Sequence, residues 1–320
     1  MIAIRRYDAS ERQAWDEFVN ASKTPMFMFN RGFMEYHSDR FEDGSLMFWQ
    51  DDELVAVLPA SRHGAELRSH GGLTYGGVIA GKKMRQTTML ACFDALGAFC
   101  REQGVESVVY KAIPHIYQVQ PAQEDLYALF RNGAVVEKIE PSVAVRLKDP
   151  LKMPKGRKAQ VSRARREGVE VRETEDFDSF ISLENEVLMA RHGARAVHSA
   201  DELRLLKSRF PEQIRCFGGF LKDKLIAGAL LFVYPTTVHT QYLCADEMAR
   251  EIGGLDLVVA FVMERYRATH EWLDFGISTE DAGRVLNEGL IAQKEGFGGR
   301  TVAYETFRLD VPVDSRSAAL

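Results

Sequence analysis

Cysteine is scarce. There are four in 320 residues (Cys92, Cys100, Cys216 and Cys244), scattered without CxxC spacing. Neither a zinc ribbon nor a disulfide-stapled secreted module is suggested, and a reducing cytoplasm is the expected setting. No apolar run approaches the ~20 residues that span a bilayer. The opening MIAIRRYDAS lacks the apolar stretch of a signal peptide. Positive charge is not in excess: 41 Lys and Arg against 46 Asp and Glu give a net charge of −5. A globally basic DNA-binding protein is therefore not expected. Nucleotide and hydrolase signatures are missing as well, with no GxGxxG after a strand, no GxxxxGK[ST], no HExxH and no GxSxG. The eight histidines fall in no HxH or HxxxH pair, so no metal site is expected.

What is present is an ordinary globular composition, 46% hydrophobic and 27% charged, in a chain long enough for two domains. Hydrophobic periodicity predicts an α/β fold. Helices are expected over 87–104, 176–193, 200–211 and 253–270, and strands over 45–49, 54–60, 105–114, 214–220, 225–233, 237–245 and 271–277. The order repeats. DRFEDGSLMFWQDDELVAVLPA (39–60) lies over SRFPEQIRCFGGFLKDKLIAGALLFV (208–233), and each is followed by a strand carrying His and Tyr, a long helix and a short strand. Two copies of one α/β domain account for this, with domains at 1–150 and 151–320; two unrelated domains of similar rhythm are the alternative.

Between them, residues 152–172 carry eight Lys or Arg against Glu167 and Glu170. Such a segment is either a solvated helix face or a holder of phosphates. In the second copy, a strand is followed by CADEMAREIGGL (244–255) and a helix. Glycines before a helix N-terminus make either a turn or an anion site, where free N–H groups and the helix dipole favour a pyrophosphate. Arg250, Gly253 and Gly254 follow, in degraded form, the Arg-x-x-Gly-x-(Gly/Ala) pattern of the GNAT acyl-CoA transferases, with Leu255 in the last small position.

LNEGLIAQKEGFGGR (286–300), with its strand ending in FRLDVP, resembles the K-x-GFGG end of the FemAB/FemX-type transferases and the related GNAT-like family. VHTQYL, DFGISTE and AVLPA with GLTYGG resemble the GNAT-like branch more closely. KGRKAQVSRARREGVEV resembles the segment that opens the second domain in both. The resemblance covers nearly the whole chain and implies two tandem GNAT-like domains, each a mixed sheet flanked by helices. It implies acyl transfer, most simply to an amine of a small molecule or cell-envelope precursor. The donor is an acyl-CoA such as acetyl-CoA in one branch and aminoacyl-tRNA in the FemX-type branch. Lys294 matches the FemX-type lysine that serves the donor end. A binding module that has lost its chemistry is a further alternative.

Such chemistry needs a base for the amine and a donor for the oxyanion or the leaving thiolate. His239 or Glu280 is the candidate base, each against a bland reading as a strand histidine or a helix-start partner. Tyr242 or Tyr75 is the candidate donor, against core packing. Arg250, Gly253, Gly254 and Asn287 are the expected donor-binding positions. In the first copy, Arg31, Tyr36, His37, His70 and Tyr75 are polar residues among aromatics, expected either to line an acceptor groove or simply to pack. The second copy is expected to be the catalytic one.

Overall fold

The computed structural model describes residues 1–312. The chain divides into two compact units. One holds residues 1–140, 282–284 and, of the described residues, 303–312; the other holds 141–281 and 285–302. The expected helices and strands form within a few residues of their predicted ends.

In the first unit, the strands Ile2–Arg6, Leu46–Gln50, Glu53–Leu58 and Ile79–Ala80 pair antiparallel in that order. The strand Ser107–Lys111 pairs parallel with Glu66–Arg68 and antiparallel with residues 306–310. The helix Gln86–Glu102 buries Met89, Cys92, Phe93, Leu96 and Cys100, an i, i+3, i+4 stripe, into this unit's core.

In the second unit, Glu170–Glu173, Ile214–Leu221, Lys224–Val233 and Thr237–Ala245 pair antiparallel in sequence order, the same neighbour order as the four-stranded sheet above. Here the sheet continues, through a parallel pairing, to Trp272–Ile277 and then to residues 142–146. Side chains alternate along Lys224–Val233. Ala227 and Ala229 join the core under the helix Gly254–Tyr266, while Gly228 lies beneath Phe180 of the helix Phe177–His192. Helices thus cover both faces, as a strand buried on both sides requires. Each unit combines sheet with flanking helices, the first having an antiparallel sheet beside mixed strands, and the fold is the tandem GNAT arrangement.

Two differences from the sequence reading bear on the site. Thr279–Glu280 is not a helix start but a two-residue strand paired with Val285–Leu286. The helix that follows runs from Glu288 to Glu295, capped by Asn287, and was not among the expected helices; Lys294 sits in its last turn.

Candidate active site

The parallel pairing of Thr237–Ala245 with Trp272–Ile277 stops early. Register partners end at His239 and Asp274. Beyond them the strands have no partners on each other, and a cavity of about 260 Å³ opens there. Thr240 to Leu243 and Ala245 line one wall and Phe275 another, with Glu184, Arg250, Leu255 and Lys294 around them. Opposite the opening, the pairing with Lys224–Val233 shifts between Leu230 and Leu231, leaving Gln241 as an extra residue. A bulge of this kind re-aims side chains and is common beside active sites. Thr240 Oγ1 and Gln241 Oε1 are buried without a hydrogen-bond partner. Such atoms are costly unless a ligand or water completes them.

Three titratable groups on the cavity wall are shifted, each chiefly by burial. The Lys294 ammonium donates to the carbonyls of Gly276 (2.9 Å) and Ile277 (2.5 Å), the strand end left open by the parted pair. Burial pulls its pKa down to about 8, with Asp274 opposing. Burial pushes the Tyr242 phenol up to about 12, so it holds its proton at neutral pH. Its hydroxyl lies 2.7 Å from His198 Nδ1. Burial also raises Glu184 to about 7. Glu184 and His198 escaped the sequence reading. For Glu184 a signal existed: it stands on the apolar stripe Phe177, Phe180, Ile181, Glu184, Val187 of one helix, where a carboxylate is out of place.

The other expected residues stand apart from this cavity's lining. His239 Nδ1 is 2.9 Å from Asp274 Oδ2, and Asp274 Oδ1 accepts from Ser142 Oγ at 2.5 Å; Asp274 is wholly buried. Glu280 is exposed and accepts from the Asn287 amide at 2.8 Å, while Asn287 Oδ1 caps Leu290 N at 2.9 Å, so both ends of that amide are occupied. In the first unit, Arg31 is buried on the Tyr7 ring, 3.8 Å away, and pairs with Glu35 and Asp43. Tyr36, His37 and His70 pack ring against ring, and burial with His37 nearby lowers His70 to about 3. Tyr75 is buried between the hydroxyls of Tyr117 (2.6 Å) and Tyr304 (2.5 Å). All five lie in the first unit.

The positions expected to bind the donor lie against the basic segment. Its helix, Lys155–Arg166, turns Val161 and Ala164 inward. Arg157 pairs with Asp256, donates to the Gln293 carbonyl (2.9 Å) and lies 4.4 Å over the Phe297 ring. Arg163 donates to the Glu251 carbonyl at 3.0 Å. The segment is thus not a wholly solvated face: two of its cations are tied to neighbouring elements, while Lys155, Lys158, Arg165 and Arg166 are exposed. Exposed Arg250 folds back on the Ala245 carbonyl at 2.8 Å. The helix Gly254–Tyr266 then opens with no side-chain cap, beside the cavity wall formed by Leu255 and Val259. Gly253 has φ +82°, and a Cβ there would meet the Gln160 carbonyl oxygen at 2.5 Å. Gly253→Ala is expected to cost about 1–3 kcal/mol, read by urea denaturation, because the left-handed backbone and the contact both oppose a side chain. Gly298 of the GFGG run is held likewise, at φ +92° with Leu151 O 2.2 Å from its would-be Cβ.

Residues 155–282 match the acetyltransferase (GNAT) domain family model. The chain has a tandem GNAT fold, akin to that of FemX. The FemX crystal structure superposes with a TM-score of 0.69 at 11% identity, covering 99% of each chain. L-PGS from Bacillus licheniformis gives a TM-score of 0.63 at 13% identity over 98% of this chain and 95% of that one. A tandem GNAT protein from the clavulanic acid biosynthesis pathway gives 0.52 at 12% identity over 98% and 99%. A search of curated protein sequences finds no match. Among the described residues, no group of three or more His, Cys, Asp or Glu is arranged to hold a metal, and no helix is long and apolar enough to cross a membrane.

Proposed function

We propose that this protein is an acyltransferase that moves an acyl group, acetyl in the simplest case, from an acyl-CoA to an amine of a small molecule or cell-envelope precursor in the cytoplasm. The observation that carries this reading is the cavity at the parted strands, with Thr240 Oγ1 and Gln241 Oε1 unpartnered on its wall and Tyr242 and Lys294 beside them. At about 260 Å³ it falls just short of the ~300–1,000 Å³ of whole-ligand pockets, which suits the reactive end of a long donor. The pyrophosphate is assigned to Arg250 and the uncapped start of the helix at Gly254. Tyr242 protonates the leaving thiolate, and Lys294 offsets charge on the oxyanion. The second unit, which holds this cavity, is the catalytic copy.

Aminoacyl-tRNA is the alternative donor, because Lys294 of the K-x-GFGG run is a buried cation on this cavity and the fold is that of FemX. Thermal shift with acetyl-CoA, longer acyl-CoAs and aminoacyl-tRNA separates the readings. A donor at a hundredfold excess over its Kd is expected to add about 2.7 kcal/mol, a rise of several degrees in Tm. A shift with charged tRNA alone would move the protein to the FemX-type reading. No shift with any donor would leave a binding module.

A further inference from the structure

We propose that Glu184 is the base that takes the proton from the acceptor amine, which makes it, and neither His239 nor Glu280, the group that activates the nucleophile. The proposal rests on the acyltransferase reading. Its ground is placement. Glu184 is 5% exposed, lines the cavity with Tyr242 and Lys294, and has Oε2 buried with no hydrogen-bond partner. A carboxylate oxygen left without a donor inside a protein is costly, and a bound ammonium group would supply that donor. The competing residues are placed less well. Glu280 is exposed and bonded to Asn287, and His239 is engaged by Asp274; neither lines the cavity.

The charged and titratable groups around Glu184 fit the assignment. Lys294 and Arg250 line the same cavity; on the strand packed against its helix stand Tyr242 and Cys244. His198 holds the far side of Tyr242. Burial raises Glu184 to about 7, the range in which a general base works best at neutral pH.

The step balances. The acceptor ammonium gives one proton to the Glu184 carboxylate. The freed nitrogen lone pair forms the new bond to the thioester carbonyl carbon, and the carbonyl electrons move to oxygen. On collapse the C–S bond breaks. The thiolate takes the Tyr242 phenol proton, and Tyr242 regains one from the attacking nitrogen. The amide and the free thiol leave, and Glu184 returns its proton to water.

The test compares wild type with Glu184→Gln, using acetyl-CoA and two nucleophiles. Alkyl amines such as ethanolamine are ammonium ions at pH 7 and need a base, whereas hydroxylamine is largely neutral and does not. The variant is expected to lose on the order of 10²-fold in kcat with ethanolamine, to lose little with hydroxylamine, and to keep the acetyl-CoA-induced Tm shift. Carboxyl carbon NMR is expected to show one titration near pH 7 in wild type that is missing in the variant. Equal losses with both nucleophiles, no loss with either, or a Glu184 midpoint in the ordinary carboxylate range would overturn the assignment alone. No Tm shift of wild type with any acyl-CoA would overturn the acyltransferase reading and this assignment with it.

Discussion

Lys294→Met is expected to fold and to lose on the order of 10²-fold in acyl-transfer turnover, the scale of removing one group that stabilises developing charge. Two opposing effects make the folded variant accessible. The ammonium is buried, and its folded-state pKa of about 8 lies below the ordinary 10.5. Between those values the unfolded chain binds more protons than the folded one, so stability rises with pH through that window. Below pH 8 the folded protein therefore carries a penalty of about 3 kcal/mol, which methionine removes. Methionine also leaves the carbonyls of Gly276 and Ile277 without their donor, at about 1–3 kcal/mol each. The net change is expected to stay within about 3 kcal/mol by urea denaturation, leaving the kinetic loss readable. A folded variant with full turnover would reduce Lys294 to a clamp on the open end of the strand Trp272–Ile277.

The second large effect is thermodynamic. Glu184 has its pKa raised by burial from 4.5 to about 7. A raised carboxyl contributes stability that is fully present below pH 4.5 and is lost as pH rises through 7, because the folded state keeps a proton that the unfolded state has released. Wild type is therefore expected to lose about 3 kcal/mol from this group between pH 4.5 and 8. Glu184→Gln cannot ionise. Its urea midpoint is expected to lie above that of wild type at pH 8, with the gap closing towards pH 5. Parallel pH profiles for the two proteins would place Glu184 in contact with solvent or a cation, and would remove the buried carboxylate on which its assignment as base depends.

Strand alternation and helix stripes made the secondary structure legible. The turn at Gly253 was legible too, but its φ of +82° follows from its place as the left-handed cap that ends the helix Glu247–Ile252 before the next one begins. The resemblance of the K-x-GFGG run singled out Lys294, although no helix was expected around it. A helix of only eight residues, Glu288–Glu295, gives too few turns for its period to stand out against the glycines that follow. Glu184 was missed because charged residues on helices are ordinarily read as exposed. Its burial follows from Phe180 packing on Gly228, a contact between residues 48 positions apart.

The sequence by itself determined the α/β class and the tandem GNAT resemblance, and offered an internal duplication and the segment 244–255 as a turn or an anion site, because these depend on period, order and local backbone preference. Only the tertiary structure decided which polar residues share a cavity. The parting of two parallel strands after His239 and Asp274 left one cavity lined by Glu184, Tyr242 and Lys294, with His239, Glu280 and Asn287 outside its lining. The physical reason is that burial, and with it every pKa shift at this site, comes from contacts between segments far apart in the chain, and no local pattern records them.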